Sequence, residues 1–110
     1  MAYFLAVDAG GTKADFVLAD GERELARVRT GTIKRMRVDE ETALGRLEEG
    51  LRELSAQSGV ALTQVTRSCV GTAGESVPMV ADWLQAEIGL RVGGESVSYT
   101  HLTLPTIYSV

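Results

Sequence analysis

Two hydrophobic rhythms divide this chain. The first apolar run, "YFLAVD", is short, nearly all apolar and bounded by turn residues, which predicts a strand buried on both faces. "KADFVLAD" predicts a second strand, and Gly10 and Gly11 between the two are few enough for a hairpin. Asp20-Gly21 in "ADGERE" is a strong hairpin signal. It leads to a third strand over residues 24–30, with Leu25, Ala26 and Val28 as its apolar members. The chain therefore opens on a three-stranded meander.

After the polar, basic connection "GTIKRMRVDEE" the rhythm changes to that of a helix. Leu44, Leu47, Leu51 and Leu54 recur at spacings of three and four, so they share one helical face. Asp39 is placed to cap this helix, Glu40 and Glu41 suit its positive end, and Gly59 is its predicted stop. Gly45 and Gly50 are expected to weaken it by about 1 kcal/mol each relative to Ala. "TQVTRSCVG" predicts a fourth strand, and Gly71, Thr72, Ala73 and Gly74 a tight loop. Ser76 and Pro78 open a second helix whose apolar face holds Val80, Trp83, Leu84 and Ile88 and whose predicted end is Gly89. "LRVGGESV" leads into a fifth strand. Helical crossovers make the fourth and fifth strands parallel additions to the sheet. The fold class is α/β, a mixed sheet with helices packed on it.

Composition narrows the function classes. The chain has 110 residues, enough for one small domain. A net charge of −4 argues against a nucleic-acid partner or an anionic membrane surface. No apolar run approaches the roughly 18 to 20 residues of a membrane helix. The first apolar run has no basic flank and stops at Asp8, unlike a signal peptide. A single cysteine, Cys69, excludes an intrachain disulfide and a multi-cysteine zinc site, and fits a cytoplasmic protein. Cys69 falls in a predicted buried strand, so it reads as a structural thiol rather than a nucleophile.

The chemistry lies in "VDAGGTKADF". Asp8 stands at the carboxyl end of a strand, where open α/β sheets place ligands. Two adjacent glycines let backbone N–H groups approach an anion, Thr12 adds a hydroxyl and Lys13 a charge. An acid beside a phosphate cradle makes sense when a cation sits between them, and a carboxylate with phosphate oxygens is the usual setting of Mg²⁺. The plain alternative is a turn and nothing more, since Asp and Gly form turns anyway. The stretch is no Walker loop, having no G-x-x-x-x-G-K-[ST]. Nor is it a dinucleotide fingerprint, because its glycines join two strands. Lys34, Arg35 and Arg37 could meet an anionic substrate, but a solvated charged loop is the expected state. Glu75 either approaches the cleft or caps the following helix.

"FLAVDAGGTKADFVLAD", followed by the Asp-Gly hairpin, resembles the first phosphate motif of the sugar-kinase, heat-shock chaperone and actin superfamily. Within it the chain is similar to the BadF/BadG/BcrA/BcrD ATPase and N-acetylglucosamine kinase group, over residues 3–95. The core D-x-G-G-T-K motif is moderately specific alone and strong when a meander, a helix, a strand and a Gly-rich loop such as "GTAGE" follow. The resemblance implies a ribonuclease-H-like N-terminal lobe, residues 1–95, of a two-domain protein that closes over ATP. It implies that Asp8 positions Mg²⁺, through water. Gly10, Gly11, Thr12 and Lys13 would face the ATP phosphates, and Gly71, Thr72, Ala73 and Gly74 would line the substrate cleft. It implies a small-molecule acceptor, an amino sugar, and is compatible with a homodimer of the full-length protein.

Two departures qualify this. The sugar kinases carry an Asn-containing loop after the third strand, and this chain has no Asn. The family's catalytic aspartate follows the fifth strand, and no Asp occurs after Asp82. No catalytic residue is therefore assigned, and this chain alone is expected to be inactive. Every Lys, Arg, Asp and Glu lies before Ser96. "SYTHLTLPTIYSV" resembles translated adapter read-through at the ends of fragmentary reading frames, so residues 96–110 are set apart as non-native, His101 with them. The other reading of that stretch is a buried strand followed by a loop. The leading expectation is an ATP-dependent amino-sugar kinase. The alternatives are a BadF-type ATPase activator of an iron–sulfur enzyme and a non-catalytic nucleotide or sugar sensor. With no helix pair before Tyr3, a DNA-binding repressor is not expected.

Overall fold

A computed structural model describes residues 2–34, 37–72 and 78–99. The elements run β1 (Tyr3–Ala9), β2 (Lys13–Ala19), β3 (Glu24–Gly31), α1 (Glu40–Ser58), β4 (Val65–Thr72), α2 (Pro78–Arg91) and β5 (Glu95–Tyr99), with a 3-10 turn over Leu62–Gln64. The five strands form one sheet in the order β3-β2-β1-β4-β5. β1 to β3 are an antiparallel meander, while β4 runs parallel to β1 and β5 parallel to β4. This is the mixed sheet with helical crossovers that the two rhythms predict.

β1 is central and its apolar run follows from that. Leu5, Val7 and Ala9 on one face, and Ala6 on the other, are all buried. The main core joins Leu5, Val7, Phe16 and Leu18 of the sheet to Leu47, Leu51 and Leu54 of α1 and to Leu84 and Ile88 of α2. On the opposite face Val17, Ala19 and Cys69 are buried as well. Among the described residues no helix is long and apolar enough to cross a membrane.

α1 begins after Asp39, whose carbonyl accepts the Ala43 N–H at 3.0 Å, and Asp39 makes no side-chain cap bond. It ends at Gly59, which takes a left-handed conformation and donates to the Ser55 carbonyl at 2.9 Å. The two helix glycines differ. A Cβ on Gly45 would meet nothing within 4 Å, whereas one on Gly50 would stand 2.6 Å from Phe16 Cε1. Gly50 is therefore the point at which α1 lies down on β2, and its missing side chain is a packing requirement rather than a weakness of the helix.

Three boundaries differ from those read in the sequence. α2 runs through Gly89 to Arg91, whose Nη1 donates to the Glu87 carbonyl at 2.7 Å and so satisfies the last turn. β4 extends through Thr72, so Gly71 and Thr72 are its last two residues rather than part of a loop. β5 includes residues 96–99 of the stretch set apart as a tail, with Gly71 opposite Tyr99. Ala73, Gly74, Glu75, Arg35 and residues 100–110 lie outside the described residues.

Candidate functional site

The carboxyl ends of the parallel strands β1 and β4 lie at one edge of the sheet, and the register aligns them, with Asp8 opposite Gly71. The β1–β2 turn and the connection from β3 to α1 reach the same edge. This is where open α/β sheets hold ligands.

The β1–β2 turn is closed by one bond, from the Gly10 N–H to the Lys13 carbonyl at 2.9 Å. A Cβ on Gly10 would stand 2.9 Å from that same carbonyl oxygen, so the turn's tightness depends on glycine there. Among the described residues, the N–H groups of Gly11 and Thr12 find no acceptor. Thr12 and Lys13 are exposed. Of the four residues read as facing phosphates, Gly10 thus closes the turn, Gly11 and Thr12 carry the unpaired donors, and Lys13 stands in solvent.

Asp8 is half-buried, one residue before the end of β1. Across the antiparallel pair it faces Asp15, and directly paired residues project from the same face. Burial pushes the Asp8 carboxyl above its ordinary value, the Asp15 charge adds to the effect, and the Lys34 ammonium works against it. Asp15 has its own partner, with Arg29 Nε donating to its Oδ1 at 2.7 Å. Two carboxylates on neighbouring strands, with only one of them held by a guanidinium, form a setting a hard cation would relieve. Among the described residues no three His, Cys, Asp or Glu side chains gather into a metal-binding group.

The connection from β3 to α1 is braced against the turn. Thr32 Oγ1 donates to the Gly10 carbonyl at 2.7 Å and accepts the Lys34 N–H at 3.1 Å. Arg46 of α1 donates from Nη1 to the Thr32 carbonyl at 2.9 Å. The helix, the connection and the glycine turn are thereby linked in series. Lys34 is only 6% exposed, which corrects the expectation of a solvated charged loop at that residue. The reason is the Thr32 anchor, which draws the loop in. Arg37 remains exposed, yet its guanidinium lies over the turn, since a Cβ on Gly11 would be 3.7 Å from its Nη2 and 3.8 Å from its Nε. Sequence reasoning missed Thr32, because 22 positions separate it from Gly10 and no periodicity links them.

Cys69 is buried in β4 opposite Ala6, and burial raises its thiol above the ordinary value. That is the structural thiol expected from its position.

No family model matches the chain, and no curated protein matches it. Solved structures do. The likeness is one of fold, shared with sugar kinases and a reductive activator among others. The ROK hexokinase of Thermus thermophilus is similar at 22% identity and a TM-score of 0.66, over 89% of this chain and 35% of the hexokinase. A proposed N-acetylglucosamine kinase of Porphyromonas gingivalis is similar at 18% identity and 0.62, over 89% and 34%. A reductive activator for a corrinoid, iron–sulfur protein is similar at 20% identity and 0.57, over 82% and 17%. The chain thus spans about a third of the length of these two kinases.

Proposed function

We propose that this chain is the phosphate-binding lobe of an ATP-dependent small-molecule kinase, with an amino sugar such as N-acetylglucosamine as acceptor. The observation that carries the reading is the glycine turn, whose Gly11 and Thr12 N–H groups have no acceptor among the described residues and whose neighbour in β1 is the half-buried Asp8. Unpaired N–H groups in a tight turn are an anion cradle. Asp8 would hold Mg²⁺, which neutralises charge on the phosphates, and the Asp8–Asp15 pair is a hard-oxygen environment that suits it. The residues of this chain position and orient. Thr32 fixes the turn through the Gly10 carbonyl, Gly11 and Thr12 present their donors, and Lys13 adds charge. The resemblance places the acceptor's general base on an aspartate after the fifth strand, and this chain has no Asp after Asp82. Gly71 and Thr72, at the end of β4, are proposed to line the acceptor's cleft, and Ala73 and Gly74, read as the rest of that lining, lie outside the described residues.

The amino sugar rests on the resemblance of the motif to the N-acetylglucosamine kinase group and on the kinases among the similar structures. A second reading, an ATPase activator of the BadF type, is favoured by the similarity to the reductive activator. It needs cluster cysteines, and Cys69 is buried within β4. The single free thiol also supports a cytoplasmic setting.

The test uses the full-length parent with Asp8→Asn. Positioned charge neutralisation of this kind predicts that phosphoryl transfer falls by about 10²-fold or more with the fold retained. ATP consumption is followed with a panel of hexoses and hexosamines. Unchanged Mg·ATP turnover in the variant would sink the kinase assignment, and consumption indifferent to every sugar would favour the activator or sensor.

A further inference from the structure

Among the described residues, Arg37 is an exposed cation at this edge that the proposed function leaves unused. Its surroundings distinguish it from the charged groups nearby. Arg29 is bound to Asp15 at 2.7 Å, and Lys34 is buried where its charge acts on Asp8. Among the described residues the Arg37 guanidinium has no hydrogen-bond or ion-pair partner, and it lies against Gly11, one of the two residues whose N–H groups likewise have no acceptor there. Its position is fixed by the backbone and not by its own side chain. The Arg37 and Val38 N–H groups both donate to the Lys34 carbonyl, at 2.9 and 3.1 Å, and the Lys34 N–H is tied to Thr32, which is tied to Gly10. A guanidinium offers a planar fork that matches phosphate or carboxylate oxygens.

We propose that Arg37 and the Gly11–Thr12 turn form a single anion site, in which the guanidinium closes from the β3–α1 connection over an anion seated on the two unpaired N–H groups. The ligand class is an oxyanion, either the phosphate chain of a nucleotide or an acidic group on the acceptor. The proposal rests on the phosphate reading of the turn and adds a residue from a different element to it. Arg37 is exposed and unpaired, so its replacement leaves the fold intact.

The test is NMR titration of the 110-residue chain with two probes, magnesium tripolyphosphate and glucuronate. The variants are Arg37→Ala and Arg37→Lys, with Arg52→Ala on the exposed side of α1 as control. In the unmodified chain the Gly11 and Thr12 amides are expected to shift on titration. Arg37→Ala should weaken binding about tenfold, Arg37→Lys should recover part of the loss, and Arg52→Ala should change nothing. Weakening confined to tripolyphosphate assigns the site to the nucleotide, and weakening confined to glucuronate assigns it to the acceptor. Either result supports the proposal. If the two amides shift but Arg37→Ala binds both probes as before, Arg37 has no part in the site and the phosphate reading of the turn survives alone. If neither probe moves the amides, both fall.

Discussion

β2 is bounded by two turns that share a closing bond and differ in almost everything else. At one end the Gly10 N–H donates to the Lys13 carbonyl at 2.9 Å; at the other the Asp20 N–H donates to the Arg23 carbonyl at 3.2 Å. The four positions of each turn correspond, Gly10 with Asp20, Gly11 with Gly21, Thr12 with Glu22 and Lys13 with Arg23. In the second turn the first residue has a side chain, and its Oδ1 accepts the Glu22 and Arg23 N–H groups at 3.0 and 3.1 Å. In the first turn that residue is glycine, and the Thr12 N–H, at the position of Glu22, has no acceptor among the described residues. One turn satisfies itself. The other has its acid moved back into the strand at Asp8 and its donors left open. The comparison separates a turn that only reverses the chain from one available to a ligand, which the Asp-Gly and Gly-Gly dipeptides alone do not do.

The largest effect should come from making the first turn resemble the second. Gly10→Asp would supply a carboxylate to the Thr12 N–H and place a negative charge where an anion is proposed to sit. Loss of one charge-assisted bond together with the added repulsion predicts that Mg·ATP binding to the 110-residue chain weakens by about 100-fold or more. The Cβ would also press on the Lys13 carbonyl, so the unfolding midpoint should fall. Calorimetric titration and a thermal melt read the two separately. Retained affinity in a folded variant would remove the turn's N–H groups from the site.

Asp8→Asn should come next, and it should act on stability and binding in opposite directions. The Asp8 carboxyl titrates above its ordinary value of 3.8 because burial and Asp15 disfavour its charge. A carboxyl of this kind opposes folding when ionised, with the full effect above its raised native pKa. As pH falls through that native value the folded state binds the proton first and stability rises, until the gain is complete below 3.8. Asp8→Asn should therefore raise the unfolding midpoint at pH 7 and flatten this part of the pH profile. It should also weaken magnesium-dependent nucleotide binding by about tenfold, equivalent to about 1.4 kcal/mol. A midpoint that falls at pH 7 would mean that Asp8 is a structural acid.

Much of this architecture was legible in the chain, and the parts that were not have a common cause. The buried central strand, the Leu47, Leu51 and Leu54 face of α1, the Gly59 stop and both hairpins follow from local pattern, and the structure has them all. Contacts between distant segments left no such signal. Gly50 reads locally as a poor helix residue and is in fact where Phe16 is received. Lys34 sits in a polar, basic run and is nonetheless buried by the Thr32 anchor. Gly89 reads as a stop, but the Arg91 bond to the Glu87 carbonyl carries α2 past it. Within the candidate site the acid and the glycines were visible as a motif. Which N–H groups stay unpaired, and that Arg37 lies over Gly11, depend on how two strands and a loop meet.

The smallest effect sharpens the comparison from its other side. Asp20→Ala removes the acceptor that the Glu22 and Arg23 N–H groups use, in a turn whose Gly21, Glu22 and Arg23 are exposed. Those bonds hold the Asp20 carboxyl below its ordinary value of 3.8, the reverse of Asp8. A carboxyl of this kind favours folding when ionised. Its contribution is complete above 3.8 and is lost as pH falls through the lower native value. The unfolding midpoint of Asp20→Ala should thus lie slightly below that of the unmodified chain at pH 7, and the gap should close in acid below pH 3.8. Water replaces the lost acceptor on this exposed turn, so the change stays small. Nucleotide binding should be unchanged, because β1 and β2 present the candidate site at their other end. A loss of affinity in this variant as large as that in Gly10→Asp would mean that both turns act only through the stability of the meander. The difference between them would then carry no functional meaning.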